Sequence, residues 1–208
     1  MFSLQAMFGK GTHFYGLLEA AAEAARDSTR ALLRLIDPQT RDSSLEEFSL
    51  ARKREKNIAA EISQALVDTF VTPLEREDIE ALGTALYKVP KAASKFADRY
   101  SIAPERVADF DFMSRAALLE NAADLVVEMV SELRHMNLDR MKARNDRLQA
   151  IESEGDRLIL ELYRDLYTGG HDAVTVMMAK DLFELLEKGL DRCRDAGNVV
   201  YHIVLKNN

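Results

Sequence analysis

The sequence predicts an all-α protein of six helices, and three observations carry that prediction. Apolar residues recur at three- and four-residue spacing almost throughout, no stretch alternates with period two for long enough to make a strand, and the 208 residues include only 9 Gly and 4 Pro. Turn-forming segments then divide the chain at Asp37-Pro38 through Ser44, Thr72-Pro73, Ala103-Pro104, Asn137-Leu138-Asp139 and Thr168-Gly169-Gly170-His171-Asp172. The resulting helices group as three plus three, residues 1–102 and 103–208, with short connections that favour antiparallel neighbours.

The first helix opens on Phe2, Leu4, Met7 and Phe8, which pack onto the bundle or, as the lesser alternative, touch a membrane surface. The segment lacks the basic start and sustained apolar core of a signal peptide, and no run reaches the ~20 apolar residues a spanning helix needs, so the expected location is cytoplasmic. Ser44 with Glu47 reads as a capping box for the second helix. Thr72-Pro73-Leu74-Glu75 has the same form for the third, with Pro at the first helical position, where its missing N–H is harmless. Pro90 falls inside that helix and removes one backbone hydrogen bond, so a kink or interruption is expected just after Lys88. On the fourth helix, Glu120, Asp124 and Glu128 step by four and read as a solvated face. Gly169 and Gly170 are expected to end the fifth helix in left-handed conformation, and Asp172 to start the sixth. There Leu182, Leu186, Gly189, Cys193, Ala196, Val200 and Ile203 form an apolar stripe whose small residues let another helix approach. Cys193, alone in the chain, reads as a packed core thiol, and a single cysteine excludes an intrachain disulfide.

Charge carries the functional signal. A net charge of −7 and a pI near 5.2 argue against a nucleic-acid partner, because phosphate-backbone binding needs a continuous basic stripe. Within the chain, Arg52, Arg54 and Lys56 lie one hundred residues before Glu152, Glu154 and Asp156, and the apolar positions around them correspond. A spacing of 103 residues later matches Asp78 and Leu82 with Asp181 and Leu185, and Lys88 with Asp191. The pattern is a degenerate repeat whose acidic positions in the second copy are basic in the first.

Glu152 and Asp156 share a face of the fifth helix, while Glu154 is rotated away; Glu187, Asp191 and Asp195 repeat the four-residue step on the sixth, with Glu184 preceding them. If the two faces meet, repulsion among the carboxylates must be relieved by protonation, basic partners or bound cations. Oxygen ligands suit Mg²⁺, Mn²⁺ or Ca²⁺, and clustered carboxylates also hold iron. The alternative is an acidic face paired with Lys180, Lys188, Arg192 and Arg194, and spacing alone leaves both open. A di-iron bundle site is excluded, since Glu132-Leu133-Arg134-His135 is a single Glu-x-x-His where two are needed. His13, His135, His171 and His202 have no common ligand spacing, and no phosphate-cradling Gly loop, nucleophile elbow or Cys/His catalytic pairing occurs, so no enzyme is predicted.

Two segments carry a family resemblance: Asp68-Thr69-Phe70-Val71-Thr72-Pro73-Leu74-Glu75-Arg76-Glu77-Asp78-Ile79, and the C-terminal Glu184-Leu185-Leu186-Glu187-Lys188-Gly189-Leu190-Asp191 with its Glu-x-x-x-Asp pattern. The chain resembles the short PhoU-like phosphate-transport regulators associated with Pit-type phosphate transporters. The resemblance implies two tandem three-helix bundles, acidic metal sites in each repeat, and an accessory or regulatory role in phosphate uptake rather than catalysis. Its implied metal ligands here are Glu152, Asp156, Glu187, Asp191 and Asp195, with Glu154 and Glu184 as outer candidates, for Fe, Mn, Mg, Ni or Zn. The implied partner is a phosphate transporter or its regulatory protein, with peripheral membrane association through that partner and homo-oligomerisation both open. In the first repeat the pattern fails at Arg54, Lys56, Thr84, Lys88 and Lys91, with Pro90 among them, so that metal site is lost. These cations either neutralise neighbouring carboxylates or make an anion-accepting face. A metal-free helical interaction scaffold is the competing functional reading.

Overall fold

The computed structural model describes residues 4–37, 39 and 45–208, with side chains from residue 12 onward. The helices are α1 (Leu4–Ile36), α2 (Leu45–Asp68), α3 (Arg76–Tyr100), α4 (Phe112–Glu132), α5 (Leu138–Thr168) and α6 (Ala173–Lys206), with a 3-10 turn at Pro104–Val107. No strand occurs among the described residues. Ser44 of the expected capping box and the side chains of Phe2, Leu4, Met7 and Phe8 lie outside them.

The breaks fall where the punctuation placed them, and side chains secure the helix starts. Asp111 accepts from the Ser114 N–H, Asn137 from Arg140, and Asp172 from both Val174 and Thr175, at 3.0 to 3.3 Å. Each such cap contributes about 1 kcal/mol. Between α5 and α6 only Gly170 is left-handed, at φ 73°; Gly169 keeps a right-handed conformation and donates its N–H to the Asp165 carbonyl, so one left-handed residue suffices for the reversal.

Two local expectations are corrected. α3 starts at Arg76, not Pro73, and Thr72 caps nothing. Its hydroxyl instead donates to the Leu74 carbonyl at 2.7 Å, Leu74 is buried, and the Arg76 guanidinium reaches back to the carbonyls of Leu66 and Thr69. Burying Leu74 and stitching the loop to Arg76 outweighs one extra helical turn. Of the kink or interruption expected at Pro90, the interruption does not occur, since α3 runs through it to Tyr100. Pro90 is buried among Val89, Ala92, Ala93 and Phe96, and packing of that face holds the helix despite the missing N–H donor.

One continuous apolar cluster draws on all six helices. α6 packs against α3, α4 and α5, and α1 against α2, α3 and α4, so contacts cross freely between the first and second halves of the chain. Every residue of the predicted α6 stripe is buried, including Cys193, whose thiol burial pushes up to about 12. The stripe's small residues set helix approach: a Cβ at Gly189 would lie 2.9 Å from Leu119, and one at Gly197 would collide with Leu148. Phe96 and Tyr100 of α3, Phe112 of α4 and Phe183 of α6 stack into one aromatic knot, with Phe112 and Phe183 centroids 4.2 Å apart. This knot ties α6, which carries three of the candidate ligands, to α3 and α4.

Candidate functional site

The seam between α5 and α6 brings the predicted acidic residues into one neighbourhood, and an arginine occupies its centre. Arg194 bonds Glu152 across the seam, Asp191 one turn earlier at 3.0 Å, and Asp195 at 3.2 Å; Asp195 also pairs with Arg192 at 3.0 Å. Burial alone would lower the Arg194 pKa, but these carboxylates outweigh it and raise it. Glu184 is held by Lys180 at 2.6 Å and by the Tyr163 hydroxyl at 2.9 Å. Glu154 points outward to Arg157. Of the four basic partners expected for an ion-paired face, Lys180, Arg192 and Arg194 take up the charge, while Lys188 forms no ion pair within 4 Å among the described residues.

Glu187 and Asp156 are outside that arrangement. Glu187 sits beside Phe183, Leu190 and Ile159, and this apolar burial, reinforced by the charges of Asp191, Asp156, Glu184 and Glu152, raises its pKa. Among the described residues no three Asp, Glu, His or Cys side chains converge as an ion-holding set. In this arrangement Arg194 supplies the countercharge to Glu152, Asp191 and Asp195.

At the α2–α3 seam the signs are reversed. Glu55, 3% exposed, pairs with Arg52 at 2.6 Å, and its Oε1 has no hydrogen-bond partner. Burial pushes its carboxyl up to about 7, against the opposing pull of Arg52, Lys56 and Lys91. Arg52 also lies 5.1 Å above the Tyr87 ring. Arg54 bonds Asp27 of α1 at 3.2 Å, and Thr84 is exposed. Arg52 and Arg54 thus neutralise carboxylates, whereas Lys88 and Lys91 point into a groove between α3 and α6.

Sequence reasoning missed Glu55, which reads as one more charge in Arg52-Lys53-Arg54-Glu55-Lys56. The signal was its register: Phe48, Glu55, Ile58 and Ile62 form the buried stripe of α2. The Glu120, Asp124 and Glu128 row is also more than a solvated face. Arg30 of α1 bonds Glu120 and Asp124, both at 3.1 Å, and Arg144 of α5 bonds Glu128 at 3.1 Å, so the row ties α4 to two neighbours.

The backbone closely matches solved structures. A PhoU-like protein from Shewanella oneidensis MR-1 superposes with a TM-score of 0.79, covering 93% of this chain and 99% of that one at 18% identity. The fold is PhoU-like. A second PhoU-like structure from the same organism, described as a phosphate regulatory protein, gives 0.78 with the same coverage and identity. By sequence, the chain is 25% identical over 154 residues to a protein of Rhizobium meliloti named as a pit accessory protein, 72% of each chain being covered. It is 23% identical over 172 residues to YkaA of Bacillus subtilis, 81% of this chain and 84% of that one. No protein-family model matches the chain. The PhoU-like resemblance read from the threonine-proline connector and the C-terminal helix is borne out across nearly the whole length.

Proposed function

We propose that this protein is an accessory or regulatory component of phosphate transport that works as a helical interaction scaffold on the cytoplasmic side of a membrane transporter or of its regulatory partner. The observation that carries the reading is similarity to the protein named for pit accessory function, over 72% of both chains, joined to a PhoU-like backbone. No helix among the described residues is long and apolar enough to cross a membrane, so membrane association would run through the partner. The ion pairs at both seams supply internal neutralisation, which supports a scaffold that needs no metal to hold its charges together.

The deciding experiment measures phosphate uptake in cells lacking the protein, and co-purification of tagged protein with the transporter, with and without a chelator. Altered uptake restored by the wild-type chain, with partner capture indifferent to chelator and to Glu187→Gln/Asp191→Asn, supports the scaffold. Unchanged uptake together with no capture defeats the phosphate-transport reading.

One observation favours a metal-dependent version. Glu187 and Asp156 form no ion pair among the described residues while Glu187 lies in the field of three other carboxylates besides Asp156, so displacing Arg194 would present Glu152, Asp156, Glu187 and Asp191 as oxygen donors. Elemental mass spectrometry on untagged protein tests it: a stoichiometric ion lost on Glu187→Gln/Asp191→Asn substitution establishes the site, and none after incubation with Mn²⁺, Fe²⁺, Mg²⁺, Ni²⁺ or Zn²⁺ removes it.

A further inference from the structure

A groove of roughly 430 Å³ runs between α3 and α6, walled by Lys88, Lys91 and Lys95 on one side and Lys188 on the other, over a floor that includes Ala92 and Leu185. The three α3 lysines follow i, i+3, i+7 spacing, which lines them along one face for about 10 Å. Arg99, near the end of α3, pairs with Asp181, near the start of α6, at 3.0 Å, so the helices run antiparallel and Lys188 faces the lysine row.

The carboxylates at this groove are already engaged: Asp181 by Arg99, Glu184 by Lys180 and Tyr163. Arg192, at the same rim, is held by Asp195. Lys88, Lys91, Lys95 and Lys188 form no ion pair within 4 Å among the described residues, although the Lys91 charge is felt by Glu55. A chain of net charge −7 thus gathers four uncompensated ammonium groups in one concavity, where each raises the electrostatic cost of the others.

The lining selects the kind of anion. Both walls are helices whose backbone groups bond internally, so no sheet edge pairs with an extended peptide, and the small floor offers no deep side-chain pockets. Recognition rests on compact ammonium charges, which suit phosphate groups. We propose that this groove binds a multivalent phosphate anion, either a free inorganic phosphate chain or a phosphorylated lipid headgroup. The inference uses the groove alone and stands whether or not the protein serves phosphate transport.

Titration calorimetry with tripolyphosphate at low and at physiological ionic strength tests the free anion, and sedimentation with phosphatidic acid vesicles tests the headgroup. Wild type is expected to bind one of these saturably, and more weakly as salt rises. Lys88→Gln/Lys95→Gln/Lys188→Gln should weaken that binding at least about tenfold. Lys53→Gln/Lys56→Gln/Lys142→Gln, with the same charge change elsewhere, should alter it less than about twofold, and arginine at the three groove positions should restore it. Circular dichroism checks folding, and Lys188→Gln alone replaces the triple variant if that variant does not fold. Binding to vesicles alone, lost in the groove variant, supports the site and names the headgroup as its source. Absence of saturable binding to both probes, equal loss in the two triple variants, or tighter binding of polyglutamate than of tripolyphosphate overturns the proposal.

Discussion

At the α2–α3 seam one buried carboxylate, Glu55, sits among Arg52, Lys56 and Lys91; at the α5–α6 seam one guanidinium, Arg194, sits among Glu152, Asp191 and Asp195. In the register read from the sequence, Arg52 corresponds to Glu152, Glu55 to Gly155, Tyr87 to Leu190 and Lys88 to Asp191. The first seam buries a carboxylate paired with a guanidinium that lies over the Tyr87 ring, whereas the second packs a glycine against a leucine: a Cβ at Gly155 would collide with Leu190. The comparison teaches that one minority charge can serve a seam from within a single helix, as Glu55 does with Arg52, or by bridging two, as Arg194 does. It also separates the seams by pH response, because only Glu55 combines deep burial with a carboxyl raised into the neutral range.

The comparison breaks most severely if the first seam's carboxylate is placed in the second. Gly155→Glu drives a side chain into Leu190 and buries an unpaired charge, so urea unfolding should show a loss of about 4 kcal/mol. A loss below about 1 kcal/mol would mean the seams tolerate each other's packing. Next in size, Arg52→Met strands Glu55. At pH 8 it should cost about 3 kcal/mol, shrinking below about 1 kcal/mol at pH 5, where Glu55 is protonated and needs no partner. Arg194→Met leaves Glu152, Asp191 and Asp195 facing one another, but these are partly solvated, so the expected loss is about 2 kcal/mol. Adding Glu152→Gln and Asp191→Asn should restore most of it, and failure to do so would show that Arg194 acts through packing rather than charge.

The smallest effect concerns Glu55 itself. Its folded-state pKa lies above the unfolded value, so the folded chain holds the extra proton between about 4.5 and 7. Its contribution is therefore favourable at the acid end and fades as pH climbs through that window. Glu55→Gln should flatten the corresponding decline in stability, by about 1 kcal/mol, when melting is followed from pH 6 to 7.5. An unchanged slope would assign the decline to other groups.

Much of this architecture was legible because helix periodicity is local. The α6 stripe from Leu182 to Ile203 and the Asp172 cap need only spacing and side-chain chemistry, and both stand in the structure. The start of α3 at Arg76 is not legible in the sequence because burial of Leu74 and the reach of Arg76 to carbonyls as distant as Leu66 are tertiary facts. Four-residue spacing puts the acidic residues on one face of α5 and one of α6, yet it has no means of showing which of Arg192 and Arg194 inserts among them. The pairing of Arg30 with Glu120 and Asp124 was hidden for the same reason, since its partners lie ninety or more residues away.

The position of α6 has a consequence for biosynthesis. This helix packs against α3, α4 and α5, and its residues leave the ribosome after all of them. Until it arrives, Phe96 and Phe112 lack Phe183, the face of α4 around Leu119 lacks Gly189, and Lys206 has not joined Glu75 and Asp78. Translation arrested before α6 should yield chains that expose those faces and recruit chaperones, and the α3–α6 groove comes into being only when synthesis has passed through the helix that completes it.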